Sequence, residues 1–405
     1  MDVVVDRVGG LDVHKRVVMA AVRGPKPGGG GRRQEIREFR TYTRDLVQLR
    51  DWLLAEDVQL VVMEATGDYW RPIWHVLSEA EGLDLQLVNA HHVKRVPGRK
   101  TDVSDAAWLA QLGECGLLRA SFVPPQEIAR LRDLTRYRKK LIEERAKEAQ
   151  RIAKLLEDAG IKVASVVTDI LGRSSREMLE GLIAQVPDPT ALAEHARGRM
   201  REKRDDLRLA LEGRFGDHHR FLLRVQLDHV DQLTASIARL DAEVDRLMAS
   251  FAVQRDRICT IPGVGPHSAE VILAEIGADM SRFPTAANLA SWAGMCPGHH
   301  ESAGQQRTER ARKGNAALRA VLCEVAWAAS HTKNTYLSAQ FRRFSRRFGK
   351  GGANKAIFAL GHTILVIVWH LLHNDTDYAD VYRDRLVHQL ERLGHRVTLE
   401  PAMTA

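Results

Sequence analysis

The stretch VGGLDVHKRVVMAAV, residues 8–22, decides how the front of the chain is read: two apolar runs, 8–13 and 17–22, flank the polar triplet His14-Lys15-Arg16. Runs this short, separated by polar residues, predict two β-strands rather than a helix. Working outward, the loop GPKPGGGGRR at 24–33 suits only a flexible turn, and EIREFRTY at 35–42 alternates like a third strand. Apolar runs at 59–63 and 83–88 add two more strands, while 45–55, 70–80 and 104–118 have helical spacing. The resulting order, βββαβαβα, predicts an α/β domain with a mixed sheet over residues 1–125.

Behind that domain the pattern turns helical. Residues 130–151 carry nine basic and four acidic residues around an apolar stripe. In 221–251, Leu223, Gln226, Val230, Leu233, Ile237, Leu240, Val244 and Leu247 alternate spacings of three and four, the seam of an antiparallel or intermolecular coiled coil. A helical middle is therefore expected over 126–252, with a loop at VPDP, 186–189, then a mainly α region over 253–375 and a tail over 376–405. That region opens with IPGVGPHSAEVILAEIG at 261–277, where Gly263 and Gly265 flank an apolar residue before a helix. This resembles a helix-hairpin-helix element, whose turn aims backbone N–H groups at a phosphate. A plain turn between two helices has the same spacing.

With 405 residues, 44% hydrophobic and 28% charged, the chain has ordinary globular composition, which excludes a mini-fold, wholesale disorder and a polytopic membrane protein. The net charge is +8, yet residues 307–350 alone hold eleven basic and two acidic residues, a local +9. A surplus so concentrated predicts one phosphate-binding surface. Cys115, Cys259, Cys296 and Cys323 are too scattered for a zinc pair or a disulfide framework, so reduced thiols and a cytoplasmic location are expected. The opening MDVVVDRVGG has no secretory pattern. The apolar run 356–372, broken by Gly361, His362 and His370, is expected to be a buried core helix, not a membrane span.

Acids stand where the predicted strands end. Asp12 lies in GLDVHK, Glu64 ends LVVMEATG, and Asp102 and Asp105 sit three apart in KTDVSDA. A three-residue spacing on a helix puts the last two on one face. Carboxylates without thiols or a histidine cluster suit a hard cation such as Mg2+, and a pair of such ions serves phosphodiester chemistry. Asp102 and Asp105 equally suit an N-cap and an N3 acid. Asp12 and Glu64 interrupt apolar strands, where an unpaired charge is expensive, although salt bridges would also account for them.

A second constellation is WAGMCPGHHESAGQQRTERARKGNAALR, residues 292–319. Ser302 stands in its Gly-rich part ahead of Arg307, Arg310, Arg312, Lys313 and Arg319, so its hydroxyl could attack a phosphodiester beside guanidinium groups. A loop serine also suits a turn, and His299 and His300 suit loop surface. His218, His219 and His229 stand near Asp217 and Asp228, which suits either a metal or solvated helix polarity. QFRRFSRRFGK, 340–350, interleaves phenylalanines and arginines, as either a nucleic-acid surface or an amphipathic helix would.

Taken in order, GLDVHK, MEATGDY, KTDVSDA, the IPGVG turn and PGHHESAGQQRTERARKGNAALR resemble the DEDD/serine transposases of bacterial insertion sequences, relatives of the pilin-gene invertases, over residues 8–372. The resemblance implies a RuvC-like domain of ribonuclease-H fold, a coiled-coil middle and a C-terminal serine transposase domain. It places the acidic tetrad, with its Mg2+, on Asp12, Glu64, Asp102 and Asp105, and the nucleophile on Ser302. It implies donor and target DNA and a structured bridge RNA as partners, and a homo-oligomer built as a dimer of dimers. Gln305 departs from the basic residue common after the serine triplet. The rival readings are a junction-resolving nuclease using metal-activated water and a non-enzymatic DNA-bridging protein.

Overall fold

The computed structural model describes residues 2–65, 67–93, 96, 104–296, 301–302, 305–306, 314–380, 391–394 and 396. The chain divides into two compact units, 1–123 and 124–405.

The first unit holds β1 (Val8–Val13), β2 (Val17–Pro25), β3 (Arg32–Arg40), α1 (Thr43–Ala55), β4 (Leu60–Glu64), α2 (Trp70–Ser78), β5 (Asp84–Val88), the short α3 (Ala90–Val93) and α4 (Asp105–Glu114). The sheet order is β3-β2-β1-β4-β5. The first three strands pair antiparallel; β4 runs parallel to β1, and β5 to β4. The β2–β3 ladder extends to Pro25 opposite Arg32, so the turn is shorter than the composition of 24–33 suggests. Gly28 to Gly31, all at positive φ, make that turn where a side chain would be strained.

Strand β4 is an unbroken apolar run up to Glu64 because both its faces are covered. One face packs Leu11, Val13, Val61 and Met63 against Leu49, Leu53, Ile73 and Leu77 of α1 and α2. The other packs Val8, Leu60 and Val62 against Ala106, Leu109 and Ala110 of α4. Edge strand β3 is charged, which discourages pairing with another chain, and Arg37 lies 4.7 Å over the Trp52 ring.

The second unit begins with α5 (Gln126–Asp158), α6 (Val163–Val166), α7 (Arg173–Ile183), α8 (Pro189–Ala193), α9 (Arg204–Ala210) and α10 (Asp217–Met248). The VPDP stretch is part loop, part helix start: the Asp188 side chain accepts from the Thr190 N–H at 2.8 Å, and Pro189 opens α8. Helices α5 and α10 pack antiparallel within the chain. Arg138 meets Asp241 at 3.1 Å, Leu141 packs with Leu233 and Ile237, and Asp158 meets His219 at 3.2 Å. The seam read along α10 is thus covered by α5 of the same chain. Its registration is shifted in two places: Leu227 and Met248 are buried, whereas Gln226 and Leu247 are half-buried, because a straight helix drifts from a strict heptad.

The unit continues with α11 (Ala252–Cys259), α12 (Pro266–Ile276), α13 (Ala286–Ala293), β6 (Glu301–Ser302), β7 (Gln305–Gln306), α14 (Ala316–His331), α15 (Tyr336–Phe348) and α16 (Ala353–Asn374). Helix α16 is long and apolar enough to cross a membrane, with mean hydropathy 1.8 over its most apolar window. It is a packed helix of this unit: Leu360, Ile364, Leu365 and Val368 are fully buried, and Trp369 Nε1 donates to the Phe283 carbonyl at 2.9 Å. The four cysteines are free and half-buried.

Candidate functional site

In the sheet unit the register assembles the acids. Pairing of β1 with β4 runs from Val8 opposite Leu60 to Leu11 opposite Met63, so Asp12 and Glu64 follow as neighbours at adjacent strand ends. Side chains alternate along a strand. Val8 and Gly10 precede Asp12, and Leu60 and Val62 precede Glu64, on the face that α4 covers. Both acids therefore belong to that face.

Helix α4 reaches the same end of the sheet because Gly10 has no side chain. A Cβ there would lie 2.1 Å from the Ala106 carbonyl oxygen and 2.4 Å from the Ala110 nitrogen. At the far end of α4, a Cβ on Gly113 would meet Val62 at 2.8 Å and Val8 at 3.1 Å. The helix thus runs against the direction of β1, and its first residue, Asp105, comes to the end of the sheet that carries Asp12 and Glu64. Ser104 caps the helix, accepting from the Ala107 N–H at 3.3 Å. The cap of the helix is therefore Ser104. Asp102 itself lies outside the described residues.

Asp12 is 19% exposed and contacts His14 Nε2 at 3.1 Å, so a histidine of the polar triplet after β1 touches the first acid. Asp105 lies at the positive end of α4, where a carboxylate is favoured. Among the described residues no three His, Cys, Asp or Glu groups form a metal cluster. The acids at this end of the sheet are nonetheless carboxylates from two strand ends and a helix start, a donor chemistry that suits a hard divalent cation and not a soft one. The opposite end of α4 has another character. Glu114 is 2% exposed, accepts from Arg23 Nε at 2.8 Å and lies against the Arg32 guanidinium. The sequence reading did not single it out; an acid in the apolar run of α4 was its only signal.

In the helical unit Ser302 ends β6, opposite Gln305 of β7, leaving a two-residue connection between the strands. The feet of this hairpin are brought together: a Cβ on Gly314 would lie 2.4 Å from the Ala293 carbonyl oxygen and 2.5 Å from the Gly294 nitrogen. Arg307, Arg310, Arg312, Lys313, His299 and His300 lie outside the described residues. Arg319 is half-buried in the first turn of α14.

The turn before α12 closes with the Val264 N–H donating to the Ile261 carbonyl at 3.0 Å, and Gly263 has φ +88°. Pro262 and Gly263 thus occupy the central positions of a turn that favours Pro then Gly. A Cβ on Gly263 would lie 2.5 Å from the Ala329 nitrogen, so this glycine joins the turn to α14. Gly265 is different: it caps α12, and among the described residues beyond its chain neighbours no atom lies within 4 Å of where its Cβ would be. On α15, Phe341 and Phe344 are half-buried while Arg342, Arg343, Arg346 and Arg347 are exposed. Phe348 is exposed, at 38%, so the run is a helix with half-buried and exposed phenylalanines whose exposed arginines suit either reading. His219 and His229 are engaged with Asp158 and Glu148 in holding α10 to α5.

Comparison with known proteins finds two matches in order along the chain, the first of which runs past the sheet unit through α5. Residues 9–161 match a family model described as Transposase, the DEDD type of IS110 elements, and residues 255–361 match one described as Transposase IS116/IS110/IS902 family. A probable family 20 transposase of Pseudomonas aeruginosa is 27% identical over 82% of this chain and 89% of its own length. A putative transposase, y4rJ, of Sinorhizobium fredii is 27% identical over 76% of both chains. The pilin gene-inverting protein of Moraxella bovis is 27% identical over 40% of this chain and 49% of its own. With both family models matched in order and relatives aligned over most of its length, the chain belongs to the IS110/IS116 family of transposases, enzymes that act on DNA, and is related to the pilin gene-inverting proteins.

Proposed function

We propose that this transposase is an RNA-guided DNA recombinase of an insertion sequence, which cuts and exchanges strands through an acidic tetrad and a serine nucleophile. The observation that carries the reading is the meeting of Asp12, Glu64 and the start of α4 at one end of the sheet. The strand order β3-β2-β1-β4-β5, with three antiparallel strands followed by two parallel ones, supports a ribonuclease-H-like, RuvC-type fold for this unit.

Asp12, Glu64, Asp102 and Asp105 would hold Mg2+, which supplies charge neutralisation at a reacting phosphate when bound. Crowded carboxylates repel one another, so together they are a place for cations. Ser302 Oγ, losing its proton, forms a bond to the phosphorus as the bond to a deoxyribose oxygen breaks, leaving a phosphoserine link and a free hydroxyl. A hydroxyl of another strand then attacks the phosphorus, restoring the DNA backbone and freeing the serine. Phosphodiester energy is conserved throughout. Basic residues at Arg307, Arg310, Arg312, Lys313 and Arg319, with the turn at Gly263 and Gly265, would hold phosphates of DNA and of a bridge RNA. We assign this chemistry to the segment from 253 to 375, and place it in a dimer of dimers in which one protomer's sheet unit serves another's serine.

The deciding experiment uses a supercoiled plasmid carrying the gene and its flanking DNA, transcribed in the reaction so that any RNA encoded there is present. Denaturing gels should show protein covalently attached to cleaved DNA, and Ser302→Ala should lose the adduct while still binding the plasmid. Free ends alone from the wild type, or wild-type cutting by Ser302→Ala, would replace the recombinase by a nuclease using water.

A further inference from the structure

The hairpin that carries Ser302 leaves the core at Met295 and returns at Asn315, and both feet are fixed. Met295 is 1% exposed; its N–H donates to the Ala290 carbonyl at 2.9 Å and its carbonyl meets His362 Nδ1 at 3.2 Å. At the returning foot, Asn315 caps α14, its Oδ1 accepting from the Leu318 N–H at 3.1 Å. The other half of that amide, Nδ2, donates to Glu275 Oε2 at 2.5 Å.

Glu275 is the last glutamate of α12 and is wholly buried. Arg136 of α5 grips its carboxylate with two bonds, Nε to Oε1 at 2.7 Å and the terminal nitrogen to Oε2 at 2.8 Å. Arg132 donates to the carbonyls of Ala274 and Glu275 at 3.1 and 2.7 Å, filling acceptors that the end of α12 leaves open. The paired arginines are enough to account for a buried charge. The bond to Asn315 does something else: it fixes which way the amide points, and with it the exit of the Ser302 segment and the start of α14.

We propose that Glu275 is a positioning residue for strand transfer, holding the returning foot of the serine hairpin through Asn315; the inference rests on the reading of Ser302 as nucleophile. Neither residue touches the reacting atoms. Their effect is on where the hairpin stands, and a misplacement of about 1 Å costs about 10²-fold in rate when reacting groups must be aligned.

The test exploits the polarity of the bond. Asn315→Asp keeps an acceptor for the Leu318 N–H but sets a carboxylate against Glu275. Glu275→Gln combined with Asn315→Asp restores a donor facing an acceptor, with direction reversed and a negative charge still beside Arg136. With the same plasmid, at a temperature where circular dichroism shows every variant folded, Asn315→Asp should form the covalent adduct about 10²-fold more slowly. Its plasmid binding should stay within about twofold of wild type, since the surplus of basic residues that carries binding is untouched. The double variant should recover most of the rate, the signature of a coupled pair.

Should Asn315→Asp fail to fold, Asn315→Ser, which keeps the cap and lacks the donor, takes its place with a smaller loss of the same kind. Ser302→Ala runs alongside. An adduct that persists there overturns the serine reading. An adduct absent there, yet formed at wild-type rate by the Asn315 variant or no better by the double variant than by Asn315→Asp, overturns the role of Glu275 alone.

Discussion

The two units solve the same packing problem at glycines but treat their carboxylates in opposite ways. In the sheet unit Gly10 lets α4 rest backbone against backbone on β1, and in the helical unit Gly263 and Gly314 do the same for α14 and the serine hairpin. At the sheet end that α4 approaches, Asp12 is partly exposed and its contact is a histidine two residues along the chain. In the helical unit, Glu270 and Glu275 are buried and held by arginines of α5. A carboxylate sealed from water and gripped by guanidinium groups is committed to the fold. One left partly exposed at a strand end is where the proposed function puts its chemistry.

Glu114 sharpens that distinction, because it places a committed acid within the sheet unit on the same helix as Asp105. Removing one partner of a buried ion pair costs about 3–5 kcal/mol. Arg23 and Arg32 keep 18% and 21% exposure and so relieve part of that cost. Glu114→Gln should accordingly destabilise the sheet unit by about 3 kcal/mol, seen as lost amide protection in β1 and α4. Asp12→Asn should change stability by less than about 1 kcal/mol yet abolish cleavage. Equal destabilisation by the two, or cleavage at wild-type rate by Asp12→Asn, would erase the difference.

Much of the sheet unit was legible in the sequence, since strands declare themselves by local apolar runs, and the observed β1, β4 and β5 fall within a residue of the expected bounds. The acids at strand ends were legible for the same reason: an acid terminating an apolar run is a local anomaly. What was not legible depends on distant partners. Arg23 and Glu114 are 91 residues apart, and Arg136 and Glu275 are 139 apart, so nothing near either glutamate announces its counter-ion. The seam of α10 was visible as a period. Its partner was not, because an apolar stripe fits a neighbouring helix and a second copy equally well. Gly10 was read as part of a strand; only the approach of α4 shows why no side chain stands there.

Next in size is the contact at Gly10. Overpacking costs about 1–3 kcal/mol, and here the obstacle is helix backbone, which cannot turn aside as a flexible side chain can. Gly10→Ala should therefore cost about 2–3 kcal/mol in the sheet unit and, by lifting α4, carry Asp105 away from Asp12 and Glu64, with cleavage lost beyond what stability explains. A variant with normal amide protection in α4 and full activity would show that the helix start need not sit over β1.

The smallest effect separates two glycines two residues apart. Gly263→Ala must accept φ +88° and a clash with the Ala329 backbone, so it should cost about 2 kcal/mol or more. Gly265 has φ −96°, which any residue adopts, and open space around its missing Cβ. There the packing cost is nil, and the change at a helix N-cap contributes about 0.5 kcal/mol, within the scatter of surface substitutions. The open space is also where a phosphate would approach the α12 N-terminus. Gly265→Ala should thus leave the melting temperature almost unmoved while weakening plasmid binding at low salt. Loss of stability with unchanged binding would make both glycines parts of the hinge between helices and remove the turn from the nucleic-acid surface.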